Sequence, residues 1–205
     1  MKRKIPISLF SLLGLGAVLA AGQMPLPRPN ADSLIESGQV TTNGHEVSYV
    51  IHRLQPSSFP DLPAPIADLL NQRGCLIPQT YQAHRPENVV EASLERSGAQ
   101  DWALLCSVKN TVSLMVFFAS AAERPMVLAT APETERLQMH DPSRVLGFNW
   151  GIDPASPEQV HDAQIGMKHR PAAPDHDALA DSMIDRKTIY HFYSKGKWTL
   201  VDLPE

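Results

Sequence analysis

Asp101-Trp-Ala-Leu-Leu-Cys-Ser-Val108, Lys109-Asn110 and Thr111-Val-Ser-Leu-Met-Val-Phe-Phe118 form one continuous passage. Two polar residues divide a pair of arms rich in β-branched and aromatic side chains, the pattern of two antiparallel strands about a short turn. The second arm is almost wholly apolar, so a strand there must be covered on at least one side. In the first arm, alternation puts Trp102, Leu104, Cys106 and Val108 on one face. Upstream, Asn88 to Leu94 reads as a further strand, followed by a polar loop centred on Gly98. Downstream, Met126 to Ala129 reads as an edge strand, where the preceding Pro125 is tolerated. The passage predicts an antiparallel β-meander, and with the short helices described next an α+β fold.

Ile66 to Arg73 carries helix-forming residues between Pro65 and Gly74. Proline in the first turn and glycine just past the last are the expected helix boundaries. That helix delivers Cys75 at its exit. Cys75 and Cys106 are the two cysteines of the chain, and in an oxidising compartment such a pair forms one disulfide. The bridge is expected to pin the helix exit onto the Trp102 face of the sheet.

Elsewhere, His45 to Leu54 alternates, with Val47, Tyr49 and Ile51 on one face of a half-buried strand. Lys187 to Tyr193 and Trp198 to Asp202 flank Ser194-Lys-Gly-Lys197 as a terminal hairpin. Between Pro132 and Asp181 the pattern is weaker. Short helices are expected from Pro157 to Ile165 and within Asp175 to Asp185, and the patch Val145 to Ile152 is expected to pack on the sheet.

The first residues set the compartment. Lys2, Arg3 and Lys4 precede an apolar run from Ile5 to Leu19 and small residues Ala20, Ala21 and Gly22, the three-part layout of a secretory signal peptide. Cleavage after Ala20 or Gly22 would place the protein in the periplasm or outside the cell; the alternative is an uncleaved anchor, for which the run, interrupted by Pro6 and diluted by Gly14 and Gly16, is of marginal length. The expected organisation is a leader over 1–22, a proline-rich linker and N-terminal segment over 23–44, and a single α+β domain over 45–205. The leader takes three of eighteen Lys and Arg and no acid, leaving fifteen bases against twenty-two acids and a net charge of −7. A surface of that sign does not attract phosphate backbones, so nucleic acid is not an expected partner. No run beyond the leader reaches membrane-spanning length.

Residues capable of chemistry cluster late. His161, His169 and His176 stand among Asp162, Asp175, Asp177 and Asp181, and imidazole with carboxylate suits zinc. The spacing is not that of H-E-x-x-H, where two histidines lie one helical turn apart. His161, Asp162, His176 and Asp177 are the candidate metal ligands. No G-x-S-x-G elbow surrounds a serine; Ser97 falls in a loop and Ser107 in a strand. Glu91 and Glu95 are two carboxylates without a visible partner, too little for a glycosidase. Trp150, Tyr190, Tyr193 and Trp198 are candidates for an aromatic recognition surface. No motif calls for a cofactor.

Asn88 to Leu105, a strand, a loop Glu95-Arg-Ser-Gly-Ala-Gln-Asp101 and a second strand, resembles the calcium-loop units of FG-GAP and integrin-type blades. The resemblance implies the local topology. A calcium loop needs several oxygen ligands at alternate positions, whereas this loop offers Glu95, Ser97 and Asp101 with Arg96 opposing.

Gly74-Cys-Leu-Ile-Pro-Gln79, Asp101-Trp-Ala-Leu-Leu-Cys-Ser107, His176-Asp-Ala-Leu-Ala-Asp181, Lys187-Thr-Ile-Tyr-His-Phe-Tyr193 and Gly196-Lys-Trp198 together resemble a group of uncharacterised exported bacterial proteins. That likeness implies a single domain and the Cys75–Cys106 pairing, and it carries no activity. The expected function is non-catalytic binding of a protein or small-molecule ligand, with a metal-dependent hydrolase or metal-handling protein using the His161–Asp181 cluster as the alternative.

Overall fold

The computed structural model describes residues 34–140, 144–165, 167–172 and 174–202. The leader (1–22) and the proline-rich run from Met24 to Asn30 lie outside the described residues.

The described chain begins with a hairpin, β1 (Ile35–Thr42) and β2 (His45–Leu54), turning at Asn43-Gly44. Both turn residues have positive φ, 52° and 79°, the conformation of a two-residue hairpin turn matched to strand twist. Strand β1 therefore occupies part of the segment read as linker and N-terminal segment. A proline-rich loop follows, then α1 (Ala64–Gln72) and β3 (Ile77–Gln79). Next come β4 (Val89–Ala92), β5 (Asp101–Val108), β6 (Thr111–Phe117) and β7 (Met126–Pro132). These four form one antiparallel meander with β7 at its edge, as expected from the sequence.

A 3-10 turn at Glu133–Arg136 leads to β8 (Leu137–His140) and β9 (Val145–Phe148). Strand β9 pairs with β2 in parallel, at Tyr49 with Leu146, and antiparallel with β8. The first sheet thus has the order β1-β2-β9-β8, with β3 also paired to β2. After Asn149 the chain crosses to a third sheet: β10 (Trp150–Ala155), α2 (Pro157–Ala163), β11 (Ala178–Met183), β12 (Lys187–Ser194) and β13 (Lys197–Asp202). It is a second four-stranded antiparallel meander.

Three expectations change. The stretch Asp175 to Asp185 holds a central strand, not a helix. Ala178, Leu179 and Ala180 have modest strand propensity, but pairing with β10 on one side and β12 on the other overrides it. The patch Val145 to Ile152 is not one unit packed on a sheet; it is split between β9 and β10, strands of two different sheets. Finally, two short α-helices against thirteen strands among the described residues make the fold more β-rich than α+β implies. No helix among them is long and apolar enough to cross a membrane.

One core cluster draws on all three sheets through Ile51, Leu105, Leu114, Phe148, Trp150 and Leu179. A second lies beneath α1, where Ile66 and Leu70, one turn apart on the helix, meet Leu104, Cys106 and Phe117 of β5 and β6. The helix stops at Gly74, whose φ of 67° lets Cys75 N–H donate back to the Leu70 carbonyl at 3.0 Å. Cys75 and Cys106 are bridged, with Cα atoms 5.4 Å apart. A third cluster under α2 contains Val160, Ala178, Phe192 and Val201. Ser156 and Gln159 cap that helix reciprocally.

Candidate functional site

The charged residues divide into those consumed by the fold and those left over. Arg53 on β2 is buried and grips Glu133 through Nε and Nη2, while Nη2 also donates to Asn110 Oδ1 at 2.9 Å. Ser107 Oγ donates to the same Glu133 carboxylate at 2.6 Å. The group ties β2, β5, the β5–β6 turn and the 3-10 turn after β7 into one buried set. Ser107 is thereby a structural hydroxyl.

A second buried set lies in the third sheet. Trp150 Nε1 donates to Asp181 Oδ1 at 2.6 Å, and His191 Nε2 lies 3.1 Å from Asp181 Oδ2. The Arg136 guanidinium sits 4.0 Å above the Trp150 ring centroid, a cation–π contact. Asp181 thus belongs to the core rather than to an accessible acidic cluster.

The four candidate metal ligands do not converge. His161 and Asp162 are exposed on α2. His176 is buried, with Nδ1 2.7 Å from Asp175 and Nε2 2.9 Å from the Tyr193 carbonyl. Asp177 accepts the Ser93 N–H at 2.9 Å. Among the described residues no three His, Cys, Asp or Glu side chains come together as a metal-binding group. The hydrogen bond from His176 also holds the exposed Asp175 carboxyl below the usual aspartate range.

The candidate aromatic surface divides as well. Trp150 is fully buried beneath Arg136. Tyr190 packs toward the cluster under α2, whereas Tyr193, three positions on, faces the other side of β12. Tyr193 and Trp198 are half-buried and pack against Phe118, the residue after β6, with centroids 4.8 and 5.9 Å from it, Tyr193 tilted and Trp198 stacked. They join two sheets and do not form one open platform with the other two. The Trp198 indole N–H is buried there without a partner.

At the start of β5, Asp101 is fully buried and receives N–H donors from Glu95 at 2.6 Å and Ala119 at 2.8 Å. Each carboxylate oxygen is engaged by backbone. Glu95 turns toward Ser120 and Arg96, so it does not work with Glu91.

What remains is a cleft between the proline-rich loop before α1 and the β4–β5 face of the second sheet. Two hollows, each about 370 Å³, share Asp61, Glu91 and Trp102 and so meet at those side chains. Glu91 and Trp102 are cross-strand partners in the register of β4 and β5. Pro63, Pro65, Ile66 and Phe117 wall one hollow; Pro60, Leu62, Pro86 and Val89 wall the other. Trp102 is only 8 % exposed and packs with Leu62, Ile66 and Phe117 in the cluster beneath α1. Neither carboxylate bonds to another described residue. No basic side chain lines either hollow. Sequence reading reached Glu91 and Trp102 separately and missed Asp61, which only the folding of the helix onto the sheet brings beside them.

Elsewhere on the surface, burial and the neighbouring Glu87 push the Asp153 carboxyl up, against an opposing pull from Arg85. Burial likewise raises the phenols of Tyr49 and Tyr81, with the Glu36 and Asp185 carboxylates adding to it in turn. None of these groups lines the cleft.

Comparison with family models, with curated proteins and with solved structures finds no match to this chain.

Proposed function

We propose that the chain is an exported, non-catalytic binding protein that holds its ligand in the cleft at Asp61, Glu91 and Trp102. The observation that carries this reading is a concavity bordered by two carboxylates that the fold does not use. Arg53, Glu133, Asp101, Asp177, Asp181, His176 and His191 are all engaged in bonds that hold the fold together. Asp61 and Glu91 are not, and with Trp102 they border a concavity of ligand size. The walls are proline and a helix tethered by the Cys75–Cys106 bridge, so the cleft is shaped before a ligand arrives, which lowers the ordering cost of binding.

The export half of the reading rests on the leader of Met1 to Gly22, and the disulfide suits an oxidising compartment. N-terminal sequencing of protein recovered from a periplasmic fraction should find a start at Ala21 or Gln23. An intact Met1 on soluble cytosolic protein would refute export.

A thermal-shift screen over saccharides, organic amines, organic acids and nucleotides tests the cleft, because a ligand of the folded state raises the melting temperature. Ala119, on the rim, provides the block: Ala119→Trp should abolish the shift given by any ligand that acts on the wild type. Shifts that survive this substitution would place the binding site elsewhere.

A further inference from the structure

We infer that the chain pairs with a second copy of itself along β13, so that two four-stranded third sheets join as one antiparallel sheet. The inference is independent of the cleft. Strand β13 bonds to β12 in unbroken register from Lys197 to Asp202, and among the described residues no strand or loop bonds to its other side. Such an edge presents a row of main-chain donors and acceptors that another strand can pair.

The other edges are guarded. Strand β7 follows Pro125, ends at Pro132 and is bulged where it pairs with Leu114 and Met115. Strand β1 is polar, with Glu36, Ser37, Gln39, Thr41 and Thr42. Strand β8 has four residues, and β4 and β10 lie against each other. Prolines, bulges, polar edges, shortness and cover are the devices that keep sheet edges from associating. The middle of β13 has none of them. Trp198-Thr-Leu-Val201 carries no charge, no proline and no bulge, and Leu200 within it is 56 % exposed.

The ends of the strand select the partner and its direction. Lys195 and Lys197 are exposed at one end and form no ion pair with a described residue. Asp202 stands at the other end, bonded to Lys187 at 2.8 Å with its side chain still 47 % exposed. A second copy running antiparallel brings each lysine end beside the other's aspartate end; a parallel copy would set like beside like. A two-fold axis normal to the sheet keeps every side chain on its own face, so only residues of like parity can meet. With the axis at Leu200, the two exposed leucines cover each other, Thr199 meets Val201 and Trp198 meets Asp202. No like charges are opposed in that register.

Sedimentation equilibrium of the mature protein over a range of concentrations tests the pairing. The wild type should pass from monomer to dimer as concentration rises. Leu200→Lys sets like charges at the axis and should raise the dissociation constant at least about tenfold, while the melting temperature at a concentration where the wild type is monomeric stays within about two degrees. Lys197→Glu should weaken the dimer as well, and so should added salt. Cys75 and Cys106 are paired with each other, so a single introduced cysteine reports its own neighbour. Leu200→Cys should give a covalent dimer on mild oxidation, whereas Val127→Cys, at a position 55 % exposed on β7, should not. A wild type that is monomeric throughout, a dimer that survives Leu200→Lys unchanged, or cross-linking through Val127→Cys alone would overturn the assignment.

Discussion

Asn88 donates its side-chain amide to the carbonyl of Trp150 at 3.0 Å, across 62 positions of sequence. The same amide donates to the Pro78 carbonyl at 2.8 Å, and its oxygen accepts the Ile152 N–H at 3.1 Å. Its own carbonyl accepts from Leu105. Pro78, Leu105 and Trp150 belong to three different sheets, so one buried residue satisfies backbone groups from each. Buried backbone polar groups must be paired, and no strand ladder serves these ones.

Asn88→Ala should therefore be among the most destabilising changes in the protein. It leaves two carbonyls and one N–H unpaired at roughly 1 to 3 kcal/mol each, and it puts alanine at a φ of 66°. A total loss of about 4 kcal/mol in denaturant unfolding is expected. Asn88→Gly, which relieves the backbone, should recover under 1 kcal/mol of it, on the order of the αL penalty. Recovery of most of the loss in the glycine variant would show that backbone strain, and not the amide, carries the effect.

The first meander and the terminal hairpin were readable because they are local. Asp101 to Phe118 and Lys187 to Asp202 each set β-branched and aromatic residues on both sides of a short polar turn, a pattern that requires no knowledge of the partner sheet. Strand β1 was not anticipated: Asn43-Gly44 is a strong hairpin signal, but Ile35-Glu-Ser-Gly-Gln-Val-Thr-Thr42 carries only two large apolar side chains and shows no clear strand face. Strand β11 was not readable. Ala178-Leu-Ala-Asp181 suits a helix as well as a strand, and one of its two neighbours, β10, lies across a long connection that contains α2. The cleft is less local still: Asp61 and Glu91 stand thirty positions apart, and only the packing of Ile66 and Leu70 on Leu104 brings their segments together.

Arg53 and Glu133 are both nearly fully buried. Removing Arg53 strands the Glu133 charge, so Arg53→Met alone should cost about 3 to 5 kcal/mol, whereas Glu133→Gln leaves Arg53 with Glu36 at 3.6 Å and should cost less. Replacing both Arg53 and Glu133 at once should cost less than Arg53→Met alone, because the Glu133 charge is then no longer left buried. Additive losses in the double-mutant cycle would show that the pair is not coupled.

The two tryptophans of the sheet junctions should respond in opposite ways to phenylalanine. Trp150→Phe removes the donor to the buried Asp181 carboxylate and should destabilise by ~2 to 3 kcal/mol. Trp198→Phe removes an indole N–H that is buried without a partner while keeping an aromatic ring beside Phe118, and should be close to neutral. Thermal melts of the two variants at one pH suffice. A loss at Trp198 as large as that at Trp150 would mean its N–H is satisfied.

Asp153 gives a pH signature of definite sign. Its carboxyl is raised by burial and by Glu87, so the folded state holds its proton to higher pH than the unfolded state. Stability then falls as pH rises from the ordinary aspartate range, about 3.9, through the raised value, and the penalty is complete above it. Asp153→Asn should melt above the wild type at pH 7 and show no such advantage near pH 3. An advantage that does not change with pH would assign the gain to packing rather than ionisation.

The last prediction joins stability to the cleft. The Cys75–Cys106 bridge spans a sequence separation of 31 residues, and its loss in Cys75→Ser/Cys106→Ser should cost ~3 to 4 kcal/mol by loop entropy. Cys106 shares the β5 face with Trp102, and Cys75 leaves the helix that bears Ile66, so the bridge also fixes the distance between two walls of the cleft. The double variant, still folded at low temperature, should therefore bind a cleft ligand more weakly than the oxidised protein, with the deficit appearing as a less favourable binding entropy in calorimetry. Trp102→Ala separates the two roles: truncating so large a buried ring costs about 3 to 5 kcal/mol of stability and removes the floor itself, abolishing binding. Unchanged affinity in the cysteine variant, beside abolished affinity in Trp102→Ala, would mean that the helix holds its place by packing alone and that the bridge serves only stability.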